Sequence, residues 1–193
     1  MLPVIGMGTA IVFNIGNDAA QRAERGKVIQ TFIAGGARLI DTAPSYGSAE
    51  AVLGDLLADM KLREKIFIAT KVRVAGRERS TAEQQQSQKR LHTEKIELIQ
   101  IHNVGFADRG EVAAQLALLR EWKSKGTYRY IGVTHSQDQE NANDRLIEIL
   151  RGEKLDFMQV NYSMAERSVQ HRLPPAAAET GTRVLVNLPF APA

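Results

Sequence analysis

Cysteine is absent from this 193-residue chain, so it can build neither a disulfide framework nor a thiolate metal site. An excess of charge of one sign is absent too. Lys and Arg number 25 against 22 Asp and Glu, a net charge of +3 with the 4 histidines neutral, and the signs alternate along the chain. Such a balance supplies no phosphate-binding stripe, which argues against a nucleic-acid partner. No apolar run approaches the ~20 residues needed to span a bilayer. The opening "MLPVIGMGTA" has no basic start, long apolar core or cleavage signature. The expectation is a cytoplasmic protein without a membrane partner. What is present, 44% hydrophobic and 24% charged residues, is the profile of a globular chain long enough to bury one sizeable core.

The organisation is an alternation of short apolar runs of β type with longer segments of helical periodicity. The runs are "PVIGMGT" (3–9), "ARLID" (37–41), "KIFIATKV" (65–72), "IELIQIHN" (96–103), "RYIGVTH" (129–135), "LDFMQVNY" (155–162) and "RVLVNLPF" (183–190). Between the first two, Asn17 is the expected N-cap of a helix with Val28, Ile29, Phe32 and Ile33 on its inner face. Ser48 is expected to cap the next, which buries Val52, Leu53, Leu56 and Leu57. Ser80 and Glu83 have capping-box spacing after the polar loop "RVAGRER". A helix over 111–125 stops at Gly126, and "PP" at 174–175 opens the last one.

Continuous apolar strands alternating with helices imply parallel pairing and burial on both faces. A doubly wound sheet and a (β/α)8 barrel both fit. The first strand lacks the G-x-G-x-x-G turn of a doubly wound nucleotide-binding sheet, and repeated β-α units of short period favour the barrel. No compositional break marks a second domain, so residues 1–193 read as a single α/β unit.

In such a barrel the polar residues at the C-terminal strand ends are the candidates for a site. They are Asp41, with Tyr46 in the loop after it, then Lys71, His102, Thr134 with His135, and Gln159 with Asn161. Singly each has a bland reading: Asp at a strand end is usually a turn residue, and a lone loop Tyr is mostly a rim aromatic. Together, four ionisable residues of complementary type end or follow three consecutive strands. A nearby cation favours the ionised form of a phenol, and a phenol beside a cation is a competent general acid. An Asp paired to the Lys holds that cation in place. A His at the next strand end can orient a carbonyl. The set suits carbonyl reduction, in which oxygen gains a proton as carbon gains hydride.

"LPVIGMGT", "RLIDTAPSYGSAEAVLG", "IFIATKV", "IELIQIHN", "YIGVTH" and "FMQVNYS" resemble, in order, the core motifs of the aldo-keto reductase family. The resemblance covers about residues 2 to 190 and implies a TIM-type barrel that reduces aldehydes or ketones with NADPH, NADH being the alternative. It implies Tyr46 as proton donor, Lys71 and Asp41 as its tuning pair, and His102 as the residue that orients the carbonyl. Thr134, His135 and Gln159 match the positions that hold the nicotinamide carboxamide. Asn187 falls where relatives place a tyrosine that stacks on the nicotinamide, with Phe190 close by in sequence. Ala10 and Arg73 replace aromatics of the substrate pocket, so the carbonyl substrate is not named by the resemblance. No metal ligand set is implied.

By the family's pattern, this sequence carries seven strands and stops before the eighth strand, the final helices and the basic residues that grip the adenosine phosphate. Strands one and seven are therefore expected to expose edges open to self-association, and cofactor binding and activity are expected to be impaired. The alternative is a barrel remnant without catalysis, acting as a binding or regulatory subunit. Two smaller features read as ordinary: Arg73, Arg77 and Arg79 as a solvated basic loop, and the apolar stripe around Trp122 as core.

Overall fold

Six of the seven apolar runs are rich in β-branched, aromatic and other apolar residues that favour strands; the first, with Gly6, Met7 and Gly8, becomes a strand through its parallel pairing with the second. The computed structural model describes residues 2–135 and 142–190. Its strands are β1 (Gly6–Gly8), β2 (Leu39–Asp41), β3 (Phe67–Val72), β4 (Ile96–Ile101), β5 (Tyr128–His135), β6 (Phe157–Asn161) and β7 (Arg183–Asn187). They form one sheet in chain order, and every neighbouring pair is parallel. The intervening helices are α1 (Ala19–Ala34), α2 (Ala49–Asp59), α3 (Arg77–Arg90), α4 (Arg109–Ser124), α5 (Ala142–Gly152) and α6 (Leu173–Thr180). This is the α/β TIM-type architecture with seven strands.

The sheet is curled. Phe67 on β3 and Phe157 on β6 have two strands between them in the sheet order, yet their ring centroids are 6.0 Å apart. Tyr130 completes the group at 5.9 Å from Phe67 and 5.5 Å from Phe157. These rings, with Ala69, Leu98, Leu185 and Leu2, form a small apolar plug inside the curl. A larger cluster fills the space between the sheet's outer face and the helices, built on Ile40, Ile68, Ile99, Val133, Met158 and helix residues such as Leu53, Leu116 and Trp122. Alternation along each strand sends one row to each core.

Local detail departs from the sequence expectations in four places. Asp18, not Asn17, caps α1, since its carboxylate accepts from the Gln21 N–H. Val28 is exposed, while Ile29 is fully buried. Ser48 sits at the N-cap of α2 but makes no side-chain cap; its hydroxyl instead accepts from the Gly16 N–H at 2.9 Å. Ser80 lies inside α3, which starts at Arg77 after Gly76, so there is no capping box there; its hydroxyl meets Gln115 of α4. The capping box belongs to α4, between Asp108 and Glu111.

Helix α2 approaches α3 closely at Gly54. A Cβ there would lie 2.0 Å from the Arg90 carbonyl oxygen and 2.8 Å from Leu91 Cα, both backbone atoms that cannot swing away. Gly54→Ala is therefore expected to cost on the order of 3 kcal/mol through overpacking, despite the better helix propensity of Ala. A chemical denaturation series comparing it with Gly26→Ala, where the nearest atom is the Leu56 side chain at 3.8 Å, checks this.

Among the described residues β1 pairs only with β2 and β7 only with β6, so each keeps one edge unpaired. Apolar side chains are exposed at both: Val4 and Ile5 beside β1, and Val186, Leu188 and Phe190 in and after β7.

Candidate active site

Along several strands the inward row changes from apolar to polar toward the C-terminal end. It runs Phe67, Ala69, Lys71 on β3; Leu98, Gln100 and then His102 on and after β4; Phe157, Gln159 on β6; and Leu185, Asn187 on β7. The apolar plug thus floors a polar layer.

At one side of that layer Asp41 closes β2. Both its carboxylate oxygens accept from Lys71 Nζ, at 2.8 and 2.7 Å, and the Thr42 carbonyl accepts from the same ammonium at 2.8 Å. The Lys71 side chain is 1% exposed. A cation so buried is kept only when paired and fully hydrogen-bonded, and three short contacts satisfy that condition here.

Tyr46 comes from the turn after β2, where its N–H donates to the Ala43 carbonyl. The turn is clamped from β1's side. Gly47 has φ +62°, and a Cβ there would lie 2.3 Å from Asn14 Oδ1, which accepts from the Ser48 N–H at 2.9 Å. Asn14 and Gly47 together aim the tyrosine. Its ring lies 5.0 Å from the Lys71 ammonium and meets the His102 ring edge-on, with centroids 6.1 Å apart. The four residues read from the strand ends, Asp41, Tyr46, Lys71 and His102, are therefore one group.

Burial first, then the positive charges of Lys71 and Arg73, push the His102 imidazole from 6.5 down to about 4. It is neutral at pH 7 and has an N–H to donate. In the unfolded chain the imidazole takes its proton near 6.5, whereas the folded one waits until about 4. The unfolded state thus binds more protons in that window, and stability is lost as pH falls through it. The expected NMR result is a His102 ring whose carbon-bound proton signals stay constant from about pH 8 to about pH 5. A midpoint near the ordinary histidine value would show a charged, solvated ring instead.

The other predicted residues divide. Thr134, on β5, points inward and is 1% exposed, and its hydroxyl has no partner among the described residues. Gln159 is its register partner on β6. The Gln159 amide donates to Asn187 Oδ1 at 2.7 Å and accepts from Gln100 Nε2 at 2.8 Å. Thr134, Gln159 and Asn187 are thus brought together, and Gln100 joins them. His135 is not with them. It follows Thr134 on the same strand and so faces the other way, with its ring against Gly105, where a Cβ would lie only 2.4 Å from it. Phe190 is 96% exposed and covers nothing. Arg73, Arg77 and Arg79 are all exposed, and Arg77 pairs with Glu121 at 2.7 Å. The two polar groups meet where Lys71 and Gln100 are register partners across β3 and β4.

A model of the aldo/keto reductase family matches residues 4–191. The chain belongs to that family. Among curated aldo/keto reductase relatives, it is 32% identical over 197 residues to a methylglyoxal reductase of Escherichia coli, covering 100% of this chain and 66% of that protein. It is 27% identical to an NADH-specific methylglyoxal reductase of the same organism, over 80% of this chain and 53% of the other. Among solved structures, it superposes with a TM-score of 0.82 and 26% identity on a Klebsiella pneumoniae aldo/keto reductase in complex with NADP and acetate. That match covers 98% of this chain and 65% of the other. The chain thus spans about two thirds or less of the length of these relatives. No helix among the described residues is long and apolar enough to cross a membrane.

Proposed function

We propose that this chain carries the proton-delivery and nicotinamide-binding halves of a carbonyl reductase that converts an aldehyde or ketone to an alcohol. The observation that carries the reading is the Asp41–Lys71 ion pair buried under the Tyr46 ring, with neutral His102 on its edge. In that arrangement Tyr46 gives its phenolic proton to the substrate oxygen. Lys71, locked by Asp41 and the Thr42 carbonyl, offsets the charge left on the phenolate. His102 donates from its ring nitrogen to the same oxygen and orients the carbonyl; being neutral, it does not compete as the proton source.

The polar layer also fits a nicotinamide. A carboxamide has both donors and acceptors, and among the described residues the buried Thr134 hydroxyl and Gln100 Oε1 have no partner. Thr134, Gln159 and Asn187 would hold it; His135 would act only from behind, as packing for β5. When bound, a reduced nicotinamide supplies the hydride to the carbonyl carbon. NADPH is the cofactor we assign, from the Klebsiella relative's complex, and NADH the alternative, from the NADH-specific Escherichia coli relative. A small carbonyl compound in the cytoplasm is the substrate class.

The test mixes the chain with NADPH and a reactive aldehyde and follows loss of the reduced cofactor's absorbance. Aldehyde-dependent loss supports the reading. Cofactor binding without any turnover would favour a second one, a non-catalytic binding subunit. That second reading draws on Asn187, which is tied to Gln159 rather than offering an aromatic face, and on the unpaired edges.

Those edges also bear on association. Two strands that each present unpaired N–H and C=O groups, flanked by exposed Val186, Leu188 and Phe190, are templates for another strand. We expect the chain to self-associate in a concentration-dependent way on light scattering after gel filtration. Val186→Lys should shift the population toward monomer; an unchanged distribution would remove β7 as the contact.

A further inference from the structure

Gln100, within the β4 strand, is the most buried polar group in the layer that faces the site. It is 0% exposed and stands on β4 opposite Gly132 of β5. Gly132 admits no side chain: a Cβ there would lie 2.5 Å from the Phe157 carbonyl oxygen. The inner face of β5 is therefore bare at that level. Through the gap Gln100 reaches past one whole strand and donates to Gln159 Oε1 on β6 at 2.8 Å. Gln159 in turn donates to Asn187 Oδ1 on β7 at 2.7 Å.

The two bonds run in one direction. They fix the Gln159 amide with its oxygen toward β4 and its NH2 toward β7, and they would be lost if it turned over. At the start of the relay Gln100 Oε1 is buried with no partner among the described residues, and the same holds for the Thr134 hydroxyl, on the register partner of Gln159. A buried acceptor and a buried hydroxyl without protein partners beside a locked amide are costly to leave unpaired. A ligand that brings an NH2 and a C=O together removes both penalties.

Resting on the nicotinamide reading above, we propose that Gln100 is a specificity-determining residue. By its hydrogen bond across Gly132 it locks Gln159, and with it Asn187, into one amide orientation that selects a carboxamide over a carboxylate. The selectivity follows from charge and donor count. A carboxylate brings no donor for Gln100 Oε1 and sets an anion against that bare oxygen, and a site built to pair an N–H rejects the analogue lacking it.

The probe is nicotinamide mononucleotide, compared with nicotinic acid mononucleotide, in which a carboxylate replaces the amide. Both lack the adenosine half, so binding reads this end of the site alone. Titrations monitored by the side-chain amide NMR signals of Gln159 and Asn187 give Kd and orientation together. The unaltered chain is expected to prefer the amide by about tenfold or more. Gln100→Met, close to isosteric, should bring that preference within about threefold and broaden the Gln159 amide signals. Asn187→Ala, at the half-buried far end of the relay, should cause a smaller loss, and it decides the matter should Gln100→Met fail to fold. A preference that survives in the variants overturns this inference alone and leaves the nicotinamide reading intact. No preference in the unaltered chain overturns both.

Discussion

Tyr46→Phe is expected to lower NADPH-dependent turnover of a reactive aldehyde by a factor on the order of 10²–10⁴, the usual worth of a positioned general acid. The substitution removes one oxygen and little else. The ring's contact with the Lys71 ammonium, 5.0 Å away, and its edge contact with His102 belong to the aromatic face and persist in Phe. The main-chain turn, set by the Ala43 carbonyl and by Asn14 against Gly47, is also untouched. Melting temperature should therefore stay close to that of the unaltered chain, and the loss should appear in kcat with little change in KM. Stopped assays at saturating aldehyde, beside a thermal melt, give both quantities. Turnover within about tenfold of the original would pass the proton to another donor. Two other titratable groups touch the ring among the described residues: Lys71, which Asp41 and the Thr42 carbonyl hold in place, and His102, whose imidazole, held down to about 4, carries no second proton to give at neutral pH.

The halves of the site were unequally legible in the sequence. Asp41, Lys71 and His102 are polar residues that interrupt or end apolar strands, and parallel neighbours bring such ends together whatever else the fold does. The placement of Tyr46 depends on a clamp not visible locally. Asn14 lies 34 residues before Ser48, and nothing in "FNIG" announces a partner. Gln100 gave a signal that was available: a polar residue in the middle of "IELIQIHN" must face inward or be satisfied otherwise. Its partner Gln159 lies 59 residues away on a strand that is not its neighbour, so only the curl of the sheet joins them. His135 illustrates the opposite case. Strand alternation alone places consecutive Thr134 and His135 on opposite faces, and matching by motif overlooked it. The helix N-caps lie one residue from the expected position at Asp18 and four from it at Gly76, because Ser, Asn and Asp near a helix start all satisfy the same pattern. Only the direction of the side chain separates them.

The second large effect belongs to stability. Asp41→Asn leaves Lys71, with a side chain 1% exposed, as a buried cation without its counter-ion. The ammonium loses one of its two carboxylate acceptors and faces an NH2 in its place, while the bond to the Thr42 carbonyl cannot neutralise it. Removing one partner of a buried pair costs roughly 3–5 kcal/mol, a large share of the 5–15 kcal/mol typical of a whole domain. For a chain of this size that lowers the melting temperature by roughly 10 °C. The control is the double replacement Asp41→Asn with Lys71→Met, which removes the cation as well. If the cost is the stranded charge, the double variant melts above the single one, and the coupling appears as non-additivity in a double-mutant cycle. If instead the carboxylate matters only as a shape between β2 and β3, the two losses add and the double variant is the less stable. That comparison separates an ion pair kept for chemistry from one kept for packing. A pair whose removal as a unit restores stability but abolishes turnover is retained for what Lys71 does to Tyr46, at a cost to the fold that the rest of the core offsets.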